Sequence, residues 1–90
     1  MLKDLEGLIN LIRDRKNNPK ENSYTNKLLN NKKLSFNKVN EEIQELVESI
    51  EKNSNKIHEA ADVIYHLLVY LESNQIKIED VIKELNKRKK

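Results

Sequence analysis

Apolar residues recur every three or four positions along most of this chain, the spacing that lines one face of an α-helix. Leu5, Leu8, Ile9 and Ile12 predict a first helix that closes before Asn17-Asn18-Pro19, because proline disfavours helical backbone at the residue ahead of it. Gly7 weakens that helix only mildly. Residues 17–25 are polar and predict a loop, followed by a short helical turn over 27–31. Phe36, Val39, Ile43, Leu46, Val47 and Ile50 predict a long second helix, with these side chains in one core-facing stripe and Lys38, Glu42, Glu45 and Ser49 in the stripe beside it. Asn53-Ser54-Asn55 is a turn signal short enough to make the next helix, over about 56–72, an antiparallel neighbour.

That third helix is apolar around most of its circumference, through Ile57, Ala60, Ala61, Val63, Ile64, Leu67, Leu68, Val69 and Leu71, with Tyr65 and Tyr70 as core or interface residues. Such a helix needs cover on more than one side, which three short neighbours cannot supply, so a homodimer is expected. Ile78, Val81, Ile82 and Leu85 predict a last short helix running into a basic tail, residues 86–90, expected to fray. With one Gly, one Pro and no strand-like alternation, the chain reads as an all-α single domain over residues 1–90, with four to five helices completed by dimerisation.

Composition narrows the chemistry. A chain of 90 residues without cysteine has no disulfide framework and no thiolate ligand or nucleophile, so any metal must be held by oxygen or imidazole. Acids and arginines interrupt the N-terminal segment, which therefore reads as neither a signal peptide nor a membrane span; a cytoplasmic setting is expected. The net charge of +2 is the small difference between 17 basic and 15 acidic residues. With aromatics at 4% and no stacking platform, nucleic acid is not an expected partner. Acids concentrate over 41–62 and basic residues flank them, an arrangement suited to a metal that in turn meets a polyanion.

Two acidic motifs stand out, Glu41-Glu42-Ile43-Gln44-Glu45 and Glu59-Ala60-Ala61-Asp62, the second set among apolar residues. Positions three apart on a helix bring side chains together, so Glu42 with Glu45 and Glu59 with Asp62 form two pairs that a short turn makes face each other. Two such carboxylates about 5 Å apart repel by about 3 kcal/mol at an effective dielectric near 20, which a cation relieves. All-oxygen ligation suits Mg²⁺, with Mn²⁺ possible. His66, one turn beyond Asp62, is a group supporting the ligands from behind, a general base, or a hydrogen-bonded core histidine; His58 is expected to face outward. Ser23, Tyr24, Thr25 and Lys27 place three hydroxyls and an ammonium within five residues, a phosphate or sugar contact compatible with a helix N-cap at Ser23 or Thr25.

The segments SYTNKLL, KVNEEIQELV and EAADVIYHLLVYL, followed by IEDVIKEL, resemble in order and spacing the phosphoribosyl-ATP pyrophosphatases of histidine biosynthesis, a branch of the all-α MazG-like pyrophosphohydrolases. The resemblance covers about residues 5–87 and implies a MazG-like helical bundle that hydrolyses phosphoribosyl-ATP, with Mg²⁺, to phosphoribosyl-AMP and pyrophosphate. It carries metal-ligand roles to Glu42, Glu45, Glu59 and Asp62. Glu41 and Glu42 become candidate catalytic carboxylates, Glu41 as either a fifth ligand or a water-orienting group. Lys27, Lys38 and Arg15 would offset phosphate charge. Asn22 and Asn40 stand where the family commonly has glycine; asparagine tolerates positive φ better than most residues. Two alternatives share parts of the pattern: a MazG-like pyrophosphatase of nucleoside or deoxynucleoside triphosphates, and a non-catalytic helical dimerisation module indifferent to Mg²⁺.

Overall fold

A computed structural model describes residues 2–89 and contains five helices: α1 (Leu2–Asn17), α2 (Tyr24–Leu29), α3 (Lys32–Lys52), α4 (Lys56–Ser73) and α5 (Ile78–Arg88). Local chemistry sets their ends. The Ser23 hydroxyl accepts from the Asn26 backbone N–H at the start of α2, and the Asn31 side chain does the same for Leu34 at the start of α3. Asn53 and Asn55 both take the left-handed conformation, with φ of 53° and 56°, and so reverse the chain between α3 and α4. The loop expected over residues 17–25 is shorter than its polarity suggested, because α2 already begins at Tyr24. Asn22 and Asn40 do not adopt positive φ; Asn40 lies inside α3, so no backbone demand for glycine exists at that position in this chain.

Helix α4 is the centre of the molecule and packs against each of the other four. Its Leu68 and Val69 join Ile12 of α1 and Leu28 of α2 in the buried core, with Leu8, Ile9, Leu29, Leu34, Tyr65 and Ile78 around them. Leu5 of the expected α1 stripe lies mostly outside this core. Residues 86–88 of the basic tail fall within α5, and Lys90 lies outside the described residues. No described helix is long and apolar enough to cross a membrane.

The largest departure concerns α3. Its supposed core stripe is inverted: Phe36, Ile43, Val47 and Ile50 are exposed, only Val39 of the six is buried, and Leu46 is half-buried. The stripe turned inward carries Glu42 and Ser49, both buried, with Lys38 and Glu45 half-buried. The reason is topological. Helix α3 packs along α4 and touches α2, but has no packing with α1 or α5 among the described residues, so nothing within the chain covers its opposite face. On α4, Ile57, Ile64 and Leu67 are likewise exposed.

Helix α5 is tied down by charge as well as packing. The Arg13 guanidinium donates to both carboxylate oxygens of Glu79, one at 2.9 Å, and its Nε lies 3.7 Å from Glu72 of α4. The hydrogen bonds from Arg13 hold the Glu79 carboxyl down at about 2, against an ordinary 4.5. A folded-state value below the unfolded one contributes stability that is present above the ordinary value and lost as pH falls through the folded one. Glu79→Gln should therefore flatten the decline of the urea midpoint between pH 4.5 and about 2. An unchanged acid limb in that variant would dismiss the Arg13–Glu79 clamp as a contributor.

Candidate metal centre

The acids of α3 and α4 meet across the antiparallel hairpin because each motif places its carboxylates three residues apart on the facing side of its helix. Glu42, Glu45 and Glu59 each bring one carboxylate oxygen within 4.8 Å of the others, and His58, Glu59 and Asp62 form a second triad within the same limit. The four expected ligands thus form two overlapping groups that share Glu59. Glu42 is only 8% exposed, and one oxygen of Glu42 and one of Glu59 are buried without any hydrogen-bond partner. Burial pushes the Glu42 carboxyl above its ordinary range, with the Glu45 charge as the next cause and Asp62 adding to it. Glu59 is raised in the same way, by burial first and then by Glu45.

Buried orphan oxygens beside like charges are costly, and native structures keep few of them without a reason. These residues fit a hard divalent cation: oxygen donors from two rigid helices, aimed at a common point, with one imidazole at the outer edge.

Glu41 is exposed and pairs with Lys38 at 3.4 Å, beside the cluster but not among its converging oxygens. His58 is largely exposed as expected, yet its Nε2 lies 3.3 Å from the Asp62 carboxylate. That contact follows from the i, i+4 spacing, which was visible in the sequence. His66 is 5% exposed and links two elements: its Nδ1 lies 2.8 Å from the Asp62 carbonyl oxygen, one turn back, and its Nε2 lies 3.1 Å from the Tyr24 hydroxyl.

The three hydroxyls of the Ser-Tyr-Thr segment turn out to have different occupations. Ser23, half-buried, caps α2, and buried Thr25 bonds the Tyr65 hydroxyl, so Tyr24 is the most exposed of the three. Burial pushes the Tyr24 phenol up, opposed by the nearby Lys38 ammonium. Lys27 is exposed on a cavity of about 650 Å³ lined by residues of 19–30, Tyr24 included. The Arg15 guanidinium pairs with neighbouring Asp14 at 3.1 Å. Its backbone carbonyl accepts from buried Asn26, whose side-chain oxygen accepts from the Lys20 N–H at 2.7 Å. Asn26 therefore pins the 18–23 loop to the end of α1. Sequence reading missed it, since one asparagine among thirteen in a polar-rich chain carries no periodic signal.

Fold and site together define an all-α protein with a carboxylate cluster shared by two antiparallel helices. Residues 5–89 match the family of phosphoribosyl-ATP pyrophosphohydrolase. A phosphoribosyl-ATP pyrophosphatase of Clostridium novyi is 48% identical, with 96% of this chain and 81% of that protein covered. Its counterpart in Clostridium acetobutylicum is 50% identical over 93% and 79%, respectively. The similar segment makes up 42% of a histidine biosynthesis bifunctional protein HisIE of Pyrococcus furiosus, at 41% identity. The chain belongs to the phosphoribosyl-ATP pyrophosphohydrolase family.

Proposed function

We propose that this chain hydrolyses the α–β phosphoanhydride of phosphoribosyl-ATP, giving phosphoribosyl-AMP and pyrophosphate, at the α3–α4 acid cluster and with Mg²⁺ or Mn²⁺ as cofactor. The family supports the reaction. The observation that carries the cofactor is Glu42, a buried carboxylate with an unpartnered oxygen facing two further acids. A divalent ion bound there would neutralise triphosphate charge and ease deprotonation of the attacking water.

The protein's own part is placement. Glu42, Glu45, Glu59 and Asp62 would hold the ion, with His58 at the edge of the set through Asp62. Glu41 would orient water or add a fifth oxygen, and its pairing with Lys38 keeps that ammonium beside the cluster, where it can meet phosphate. Lys27 would offset charge from the cavity side, and Arg15 from the end of α1. We place the reaction in the cytoplasm, as a role in histidine biosynthesis implies, and we take the active form to be a homodimer formed through the apolar face of the α3–α4 hairpin.

Pyrophosphate release from phosphoribosyl-ATP, compared with a panel of nucleoside triphosphates in Mg²⁺ and in EDTA, tests the assignment. Preference for an ordinary nucleoside triphosphate would overturn it in favour of a housekeeping pyrophosphatase. Mg²⁺ or Mn²⁺ should also raise the melting temperature, and Ca²⁺ should support little turnover. A ligand at about 100 times its dissociation constant adds about 2.7 kcal/mol when it binds only the native state. Equal melting temperatures in EDTA and in saturating Mg²⁺ with a substrate analogue would remove the metal from the account.

A further inference from the structure

We infer that His66 is a positioning residue that commits the Tyr24 hydroxyl proton inward, so that Tyr24 meets substrate as a hydrogen-bond acceptor for a ribose hydroxyl and not as a donor to phosphate. The inference rests on the reading of the neighbouring acid cluster as the site of phosphoribosyl-ATP hydrolysis.

The Asp62 carbonyl can only accept. His66 Nδ1, 2.8 Å away, must therefore carry a proton. In the neutral ring Nε2 is then a lone pair, and the Tyr24 hydroxyl at 3.1 Å must donate to it. A phenol has one proton. Once it points at His66, the Tyr24 oxygen offers only lone pairs to anything that approaches from outside. A phosphate oxygen, itself an acceptor, gains nothing there. A sugar hydroxyl gains a partner.

Position supports the same conclusion. Tyr24 is 45% exposed, whereas the hydroxyls on either side of it are spent within the protein, Ser23 on its helix cap and Thr25 on Tyr65. The ring lies against Tyr65 and His66, with centroids 6.4 Å and 5.8 Å away, so its direction is fixed by two aromatic neighbours from α4. It also lines the 650 Å³ cavity beyond α2. Lys38 and Glu42 are close enough to act on its charge. Tyr24 thus lines the cavity within electrostatic reach of the acid cluster, where a sugar joined to a phosphate chain held by the cluster can meet it. The substrate class carries ribose hydroxyls, and a deoxy sugar would leave the acceptor unmet.

Two measurements test this on the intact protein. In ¹⁵N-labelled protein, long-range proton–nitrogen correlation should show His66 with Nδ1 protonated and Nε2 pyridine-like; a proton on Nε2 overturns the inference without any ligand. Calorimetric titration in Mg²⁺ then compares the α,β-methylene analogue of ATP with its 2′-deoxy and 3′-deoxy forms, and ribose 5-phosphate with 2-deoxyribose 5-phosphate. Wild type should favour the hydroxyl-bearing member of at least one comparison by about fivefold, the size expected of one neutral hydrogen bond. Tyr24→Phe should bring that ratio to about one, leaving the deoxy member and inorganic pyrophosphate as tightly bound as before. A ratio unchanged in Tyr24→Phe, no preference in wild type, or weakened pyrophosphate binding in the variant each overturns the proposal. Failure of the reaction assignment would be seen separately, as absent pyrophosphate release from phosphoribosyl-ATP by a protein whose His66 tautomer is as described.

Discussion

Glu42→Gln should cut pyrophosphate release from phosphoribosyl-ATP by at least about 10²-fold, the scale of losing one preorganised charge-stabilising group, while making the metal-free protein more stable. The two effects have one cause. Glu42 is 8% exposed and shares its surroundings with Glu45 and Glu59, whose nearest oxygens lie within 4.8 Å. At that separation one charge pair costs about 3 kcal/mol at an effective dielectric near 20, and an amide of the same shape removes the cost along with the ligand. The direction of the pH dependence follows. Burial and Glu45 raise the folded-state value of Glu42 above its ordinary 4.5, so the folded protein holds a proton that the unfolded chain has already released. Metal-free stability should therefore fall as pH rises from the ordinary 4.5 through the raised folded-state value. Glu42→Gln should lose that slope, and saturating Mg²⁺ should mask it in wild type. Glu48→Gln, exposed on α3, is the control and should change neither turnover nor stability much. Urea melts in EDTA beside turnover in Mg²⁺ decide the matter. A Glu42→Gln protein that is markedly less stable and still active would make the cluster part of the scaffold and not of the chemistry.

How much of this was legible beforehand depends on what each residue answers to. Helix positions and the α3–α4 reversal follow from local rules, spacing of apolar residues and asparagines able to enter the left-handed region, so they were readable. The acid pairs were readable too, because i, i+3 geometry does not depend on what lies beyond the helix. The inward face of α3 was not. Periodicity shows that Phe36, Ile43, Val47 and Ile50 share a face, but not whether cover comes from within the chain. The sequence reading assumed cover from the same chain, and α3 instead turns its acid stripe to α4. Asn26 and the contact between His66 and Tyr24 were hidden for another reason. Their partners lie 11 and 42 residues away and depend on how α2 docks onto α1 and α4, which no local pattern encodes.

Val47→Asp should weaken self-association by at least about 10³-fold, which corresponds to about 4 kcal/mol, and should cost the isolated chain much less. Six large apolar residues, Phe36, Ile43, Val47, Ile50, Ile64 and Leu67, stand between 42% and 58% exposed along the α3–α4 hairpin, whereas among the described residues the buried apolar core holds Ile12, Leu28, Val39, Leu68 and Val69. More large apolar side chains thus face outward on this hairpin than are buried among the described residues. Burial of such a side chain is worth about 1.5–3 kcal/mol, so pairing two hairpins would recover an amount comparable to the net stability of a small domain. A carboxylate at Val47 would be desolvated among apolar groups on forming that pair, at a cost of several kcal/mol, but stays in water while the chain is alone. Gln44→Glu, also exposed on α3 but outside its apolar stripe, is the matched control for added negative charge. Sedimentation at micromolar concentration should give a dimer for wild type and Gln44→Glu and a monomer for Val47→Asp, with a melting temperature that depends on concentration only in the first two. Wild type sedimenting as a folded monomer, with a melting temperature independent of concentration, would refute the dimer and leave the apolar face for some other partner.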